Sequence, residues 1–249
     1  MTQKSRSERI LLISDLHLEE DRPDLVQAFL SFLEREAANA CDLYILGDFF
    51  NLWIGDDDDR PLNTAISEAL KLMAEDGLNI YLMHGNRDFL LGNNFARRAG
   101  ATLIQEPFLL QNAGSQYLLM HGDVLCTRDV EYQAFRQTVR NPSWQQDFLG
   151  KPLAERRAFA DQTRRQSKVM SSNKAADIMD VSQNAVENIL RENGTCLLIH
   201  GHTHRPFEHT FTLDGKAARR TVLGDWGTDG WFLELESGRV KLHKFQIPG

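Results

Sequence analysis

The chain is laid out as short apolar runs that each stop at a polar cluster. Ile10-Leu11-Leu12-Ile13 leads into Asp15-Leu16-His17, and Asp42–Leu46 leads into Gly47-Asp48. Asn79–Met83 leads into His84-Gly85-Asn86-Arg87-Asp88, Leu118-Leu119-Met120 into His121-Gly122-Asp123, and Leu197-Leu198-Ile199 into His200-Gly201-His202-Thr203-His204. Short apolar runs bounded by glycine and polar residues read as buried strands. Between the first three, apolar residues recur at helical spacing. Leu25, Phe29, Phe32 and Leu33 predict a helix over Pro23–Ala40 with Pro23 in its first turn. Leu62, Ile66, Ala69, Leu70 and Met73 predict a second buried face, on a helix from near Pro61 to about Asp76. Strand, helix, strand is the unit of a parallel sheet, and such sheets take their ligands at the carboxyl edge. The expectation is an α/β protein with its chemistry at that edge.

Further along, Phe108–Asn112 and Gln116–Met120 flank Ala113-Gly114-Ser115 as a hairpin. The stretch Arg128–Lys174 reads as helices inserted before the last histidine cluster. Val130, Ala134, Phe135 and Val139 mark one, and Leu153, Arg157, Ala160 and Arg164 mark another. Asn141–Pro152, with two prolines, reads as the turn between them. Ser182–Glu192 predicts a last helix, stopped by Gly194. Glu208–Phe245 alternates around Asp214-Gly215 and Ser237-Gly238, two hairpin signals expected to complete a second sheet.

Composition narrows the class. With 249 residues, 42% hydrophobic and 25% charged, the chain suits a single domain over residues 1–249 with the helical insertion at about 128–174. Cys41, Cys126 and Cys196 are odd in number and far apart, which suggests neither a disulfide framework nor a cysteine zinc site. The net charge of −7 argues against nucleic-acid binding. It also hides an asymmetry: the insertion carries ten Lys/Arg against five Asp/Glu, a net of +5 that leaves −12 elsewhere. The run Asp56–Asp59 reads as a solvated loop that places negative charge before the helix at Pro61. No segment resembles a signal peptide, and no run approaches the ~18 apolar residues of a membrane span. A cytoplasmic location is expected.

The polar clusters supply the candidate chemistry. Residues two apart in an extended chain point the same way, roughly 6.5 Å apart, so His202 and His204 can face one cavity. Histidines clustered at a strand end are metal-ligand candidates. Asp15, His17, Asp48 and Asn86 add oxygen and nitrogen donors for a hard cation, and Arg87 adds a planar donor fork for phosphate. Alone, Asp48 or Asn86 would read as a turn cap. The repetition at five strand ends favours a shared metal site.

In order, Asp-x-His, Gly-Asp, Gly-Asn-x-Asp, His-Gly-Asp and Gly-His-Thr-His resemble the calcineurin-like metallophosphoesterase signature, covering Asp15 to His204. The resemblance implies two facing mixed β-sheets flanked by helices, a four-layer sandwich, with two metals at its edge. By motif, Asp15, His17 and His204 would hold one metal, Asn86, His121 and His202 the other, and Asp48 would bridge them. His200 would support or pack, and His209 and His243 would be ordinary histidines. Tyr-Ile-Leu-Gly-Asp-Phe-Phe, Trp-Ile-Gly-Asp-Asp, His-Gly-Asn-Arg-Asp-Phe-Leu-Leu-Gly, Ile-Met-Asp-Val and His-Gly-His-Thr-His-Arg-Pro further resemble the UDP-2,3-diacylglucosamine diphosphatase family of lipid A synthesis. This narrower resemblance implies cleavage of a lipid-linked nucleotide to UMP and 2,3-diacylglucosamine 1-phosphate (lipid X). It also implies Mn2+ and a peripheral place on the cytoplasmic face of the bacterial inner membrane, against an anionic surface. It gives no protein partner.

By the same resemblance Asp48, Asn86, Arg87 and His121 would be catalytic. Asn86, Arg87, Asp129, Ser167, Ser171, Lys174 and His202 would touch substrate, with Arg164 and Tyr132 as further contacts. Ser171 stands where some members have Asn. Phe135, Trp144, Phe148, Leu149 and Phe159 would line an acyl groove or pack the helices. Where the wider superfamily has Gly-Asn-His, this chain has Gly-Asn-Arg. A histidine can protonate an alkoxide leaving group, whereas arginine cannot act as an acid at ordinary pH. A departing phosphate, with a second pKa of about 6, needs no such acid. Arg87 thus favours pyrophosphate cleavage over ester hydrolysis. The alternative is another dinuclear metallophosphoesterase, acting on nucleotides or cyclic nucleotides.

Overall fold

The structure is a computed structural model that describes residues 8–172, 178 and 180–248, with side chains left out at 164 and 166–172. Strands β1 (Ile10–Ile13), β2 (Asp42–Leu46), β3 (Asn79–Met83) and β4 (Thr102–Ile104) run parallel. They form most of a six-stranded sheet of order β11-β10-β1-β2-β3-β4, in which β10 (Asp229–Glu236) is antiparallel to β1, and β11 (Arg239–Gln246) to β10. The second sheet has the order β5-β6-β7-β9-β8, from β5 (Phe108–Asn112), β6 (Ser115–Met120), β7 (Leu197–His200), β8 (Phe207–Leu213) and β9 (Lys216–Val222). Here β6, β7 and β9 are parallel to one another. Both sheets are mixed, as expected.

Strand alternation builds the layers. Ile10, Leu12, Tyr44 and Leu46 face Leu119, Ile199 and Leu223 of the second sheet. Leu11, Ile13, Leu43 and Ile45 face the other way, onto Phe29 and Phe32 of α1 (Pro23–Arg35) and Ile66 and Leu70 of α2 (Pro61–Glu75). With both faces covered, β1 and β2 are continuous apolar runs rather than alternating ones. α7 (Gln183–Glu192) covers the outer face of the second sheet with Val186 and Leu190. The order is therefore helices, sheet, sheet, helix. Each fully buried leucine contributes about 2 kcal/mol through removal from water, so the two sheets hold the intervening edge rigidly.

Four expectations need correction. First, the Asn141–Pro152 turn contains a helix, α5 (Pro142–Leu149), between α4 (Val130–Val139) and α6 (Leu153–Ser172). Asn141 caps it by accepting from Ser143 N and Trp144 N, Pro142 occupies its first turn, and Trp144 stacks on Phe148 one turn on.

Second, the Asp56–Asp59 run is not simply a solvated loop. Asp56 accepts from Gly92 N, Phe95 N and Trp53 Nε1, capping the short helix α3 (Asn93–Arg98). Asp57 pairs with Arg156, and the buried Asp58 pairs with Arg60 and Arg157.

Third, the hairpin around Ser237-Gly238 joins the first sheet rather than the second, beside β1, where Glu234 accepts from Arg9 Nε. Fourth, the buried face of α2 includes Asn63 and Ser67, while Leu62, Ala69 and Met73 are only partly buried. The element α3 and the strand β4 were not foreseen, being too short to show a period.

Candidate metal centre

The loops after β1, β2, β3, β6 and β7 meet at one edge of the two sheets, and glycines let them close up. A Cβ at Gly85 would run into Asp48 N and Oδ1, and one at Gly201 into Ser14 Oγ and Asp15 Oδ2. Asp88 ties the β2 and β3 loops together: its carboxylate accepts from Phe49 N and Gly85 N, both at 2.8 Å, and from Asp48 N at 3.3 Å. Arg87 N donates to Asp48 Oδ1 at 2.7 Å. His202 N donates to Asp15 Oδ2 at 2.8 Å, joining the β7 loop to β1.

The seven residues picked out by motif stand together here. Asn86 Oδ1 lies 2.9 Å from His121 Nε2 and 2.8 Å from His202 Nδ1. His121 Nε2 is 3.7 Å from Asp48 Oδ1, and His17 Nδ1 is 3.9 Å from Asp48 Oδ2. His204 Nε2 is 3.4 Å from Asp15 Oδ1 and 3.3 Å from His17 Nε2. Donors around a common cation at ~2.1 Å stand about 3 Å apart, so these spacings suit metal ligation. Among the described residues two groups of acids and histidines qualify, Asp15/His17/His204 and Asp15/Asp48/His121, each with donor atoms within 4.8 Å of one another. Asp15 Oδ1 and His17 Nδ1 are buried with no hydrogen-bond partner. A buried acceptor and a buried ring nitrogen left open side by side fit divalent cations. The ring nitrogen His121 Nδ1, turned away from the cluster, contacts Leu46 O at 2.9 Å, which leaves Nε2 for a ligand role.

The electrostatics agree. Burial pushes the Asp48 carboxyl up to about 7, with Asp15 and Asp88 adding to it and His121 opposing. Burial opposes protonation of His121, but Asp48, Asp15, Asp123 and Glu106 outweigh it and hold the imidazole up at about 9. Burial pulls His17 down to about 3 and His202 to about 4. These are the tensions of acids and imidazoles packed around positions that cations would occupy.

Arg87 lies beside this cluster, and among the described residues its guanidinium has no partner. Tyr132 lies over the His202 ring, centroids 5.9 Å apart and planes 28° apart. Asp129 caps α4 by accepting from Tyr132 N at 3.1 Å. Arg164, Ser167 and Ser171 lie on α6 where side chains are not described, and Lys174 lies outside the described residues. His200 is buried at the end of β7, its Nδ1 contacting Gly201 O.

Sequence reasoning left Asp88 and Asp123 without roles, although both stand in quoted motifs. Asp123 is buried and takes hydrogen bonds from Tyr132 Oη and, at 2.8 Å, from Arg136 Nε, fastening α4 to the floor beside His121. Burial opposes its ionisation, but His121, His202 and Arg136 hold its carboxyl well below the usual range.

A centre of clustered acid, amide and imidazole donors at the edge of two facing sheets defines a class, and comparison agrees. Residues 8–206 match the calcineurin-like phosphoesterase family, and the chain belongs to it. Among curated relatives, a UDP-2,3-diacylglucosamine hydrolase of Cellvibrio japonicus is 52% identical over 237 residues, 95% of this chain and 99% of the relative. Hydrolases of the same name from Pseudomonas aeruginosa and Hahella chejuensis are 50% and 48% identical. They cover 96% and 95% of this chain, and 99% and 95% of their own lengths.

Proposed function

We propose that the protein hydrolyses UDP-2,3-diacylglucosamine to UMP and 2,3-diacylglucosamine 1-phosphate, using two divalent cations. The observation that carries the reading is Arg87, whose guanidinium has no partner among the described residues and stands beside the donor cluster at the position where the superfamily pattern has histidine. Relatives about half identical over nearly the whole chain bear the name of that activity.

Asp15, His17 and His204 would hold one cation, Asn86, His121 and His202 the other, and Asp48 both. Bound there, such ions would activate a water near neutral pH and offset charge on an in-line phosphoryl displacement. We favour Mn2+, which carboxylate, amide and imidazole donors suit. Arg87 binds the diphosphate bidentately and stabilises charge as it shifts to the leaving phosphate. Tyr132, with Asp129, Arg164, Ser167, Ser171 and Lys174, would orient the lipid-side sugar phosphate. Helices α4–α6 would act as a lid, with Trp144, Phe148 and Phe159 in mutual ring contact and Phe159 41% exposed as an apolar edge for acyl chains. Among the described residues no helix is long and apolar enough to cross a membrane, and a peripheral place at the cytoplasmic face of the inner membrane would bring the lid to its substrate.

The purified protein is incubated with UDP-2,3-diacylglucosamine or with an alkyl ester, the methyl ester of UMP, with Mn2+ or with chelator. The expected result is metal-dependent release of UMP and far slower turnover of the simple ester. Comparable rates on both substrates, or hydrolysis indifferent to chelator, would overturn the assignment.

A further inference from the structure

Behind the loop that carries His202 and His204 lies a second cavity, of about 200 Å3, lined by Thr203, Arg205, Phe207, His209, Arg220 and Asp180 among others. It lies on the outer face of the second sheet: Arg220, two residues on from Ala218 along β9, shares the face on which Ala218 packs in the cluster beneath α7. Arg220 is only 7% exposed. Its Nη1 donates to His200 Nε2 at 3.2 Å, and its Nε is buried with no partner. Thr203 Oγ1 is likewise buried and unpartnered. Among the described residues the lining holds one acid, Asp180, and it is already engaged: Oδ2 accepts from Arg205 Nη1 and Oδ1 from Val181 N, each at 2.8 Å. Among the described residues no carboxylate lies within ion-pair distance of Arg220. Burial pulls its guanidinium below the usual arginine range, although Asp180 opposes this.

Buried cations are ordinarily paired and buried hydroxyls ordinarily bonded. Here one of each is left open on the same cavity. A phosphate oxygen accepts from both, with the charge the guanidinium lacks. We propose that this cavity binds a phosphate group on Arg220 and Thr203, at a site separate from the metal centre. The cavity is larger than inorganic phosphate requires, and its lining includes Phe207, 60% exposed, with the His209 ring 4.9 Å away. Such a surface can stack a base, so the phosphate is either inorganic or carried on a mononucleotide. Through His200 and Gly201 the guanidinium connects to the loop bearing His202 and His204. The inference stands whether or not the proposed reaction does.

Chelated full-length protein is titrated calorimetrically with inorganic phosphate and with UMP, alongside Arg220→Gln, Thr203→Val and Asp48→Ala. Circular dichroism checks that each variant is folded. Asp48→Ala should bind phosphate as the parent does. Arg220→Gln should weaken binding about tenfold or more, the size of a lost charge-assisted bond, and Thr203→Val should weaken it less. Should Arg220→Gln not fold, Thr203→Val decides. Absence of binding in the parent, its loss in Asp48→Ala, or full retention in the folded cavity variants would overturn the proposal. Tighter binding of UMP, with the advantage lost in Phe207→Ser, identifies a mononucleotide. Equal affinities identify inorganic phosphate.

Discussion

Asp15, His17, Asp48, His202 and His204 all adopt positive φ, between 49° and 66°. For residues with a Cβ this left-handed conformation costs roughly 1–2 kcal/mol each, and such strain persists where surrounding structure over-determines it. Here the strand ends and the Asp88 carboxylate hold the loops in place. The strain turns side chains from three separate strand ends, those of β1, β2 and β7, toward one point.

The same side chains compete with protons. In the metal-free protein His121, held up at about 9, carries a proton at neutral pH and Asp48, at about 7, carries one about half of the time, and a cation must displace both. Raised pKa values mean metal affinity falls as pH drops, so it should rise between about pH 7 and 9 with proton release. Titrating Mn2+ calorimetrically in buffers of different ionisation enthalpy counts those protons. Affinity that is flat across this window, with no proton release, would show that these two groups are not ligands. The motif residues were legible in the sequence because strand termini and alternate spacing advertise them. Asp88 and Asp123 were not, because their value lies in backbone amides and lid side chains brought to them only by the fold.

At the scale of elements, long periodic helices and apolar strands were readable, and short or doubly used segments were not. Helix α5 hid behind its prolines because its cap, Asn141, and its stacked pair Trp144/Phe148 act across a single turn. The aspartate run looked solvated because its partners, Arg156 and Arg157, lie 98 or 99 residues away on α6. The tail hairpin could not reveal which sheet it would join, since alternation fits either.

Arg156 is itself a clamp between insertion and body, bonding Asp57 and, at 2.6 Å, the carbonyl of Ile54. Asp57 is 61% exposed, so solvent screens the pair. Arg156→Met should cost about 1–2 kcal/mol in urea unfolding and speed proteolytic cutting within α5–α6. Unchanged stability and unchanged cutting would mean the insertion is held otherwise.

Over the whole molecule, the insertion's excess of positive charge is partly neutralised by the body. Arg136 pairs with Asp123 and Glu106, Arg156 with Asp57, and Arg157 with Asp58 and Asp59. The count of +5 therefore overstates what a membrane would meet. Each remaining cation near an anionic surface is worth about 1 kcal/mol, so binding to anionic vesicles should be weak and reversed by salt. Equal binding to neutral vesicles, or binding insensitive to salt, would contradict this.

In the proposed reaction the donor cluster and Arg87 cleave a pyrophosphate by attack on one of its two phosphorus atoms. Both leaving groups are phosphates, so basicity cannot choose between them and positioning must. With Arg87 and the lid on the lipid-side phosphate, as proposed, water would attack the phosphorus next to uridine. Hydrolysis of UDP-2,3-diacylglucosamine in ¹⁸O-labelled water, with both products weighed, reads this out. The proposed reaction places the label in UMP, and in Arg87→Ala it gives the same labelled product at turnover lower by about a hundredfold. Label in the lipid 1-phosphate, or near-normal turnover by Arg87→Ala, would contradict it.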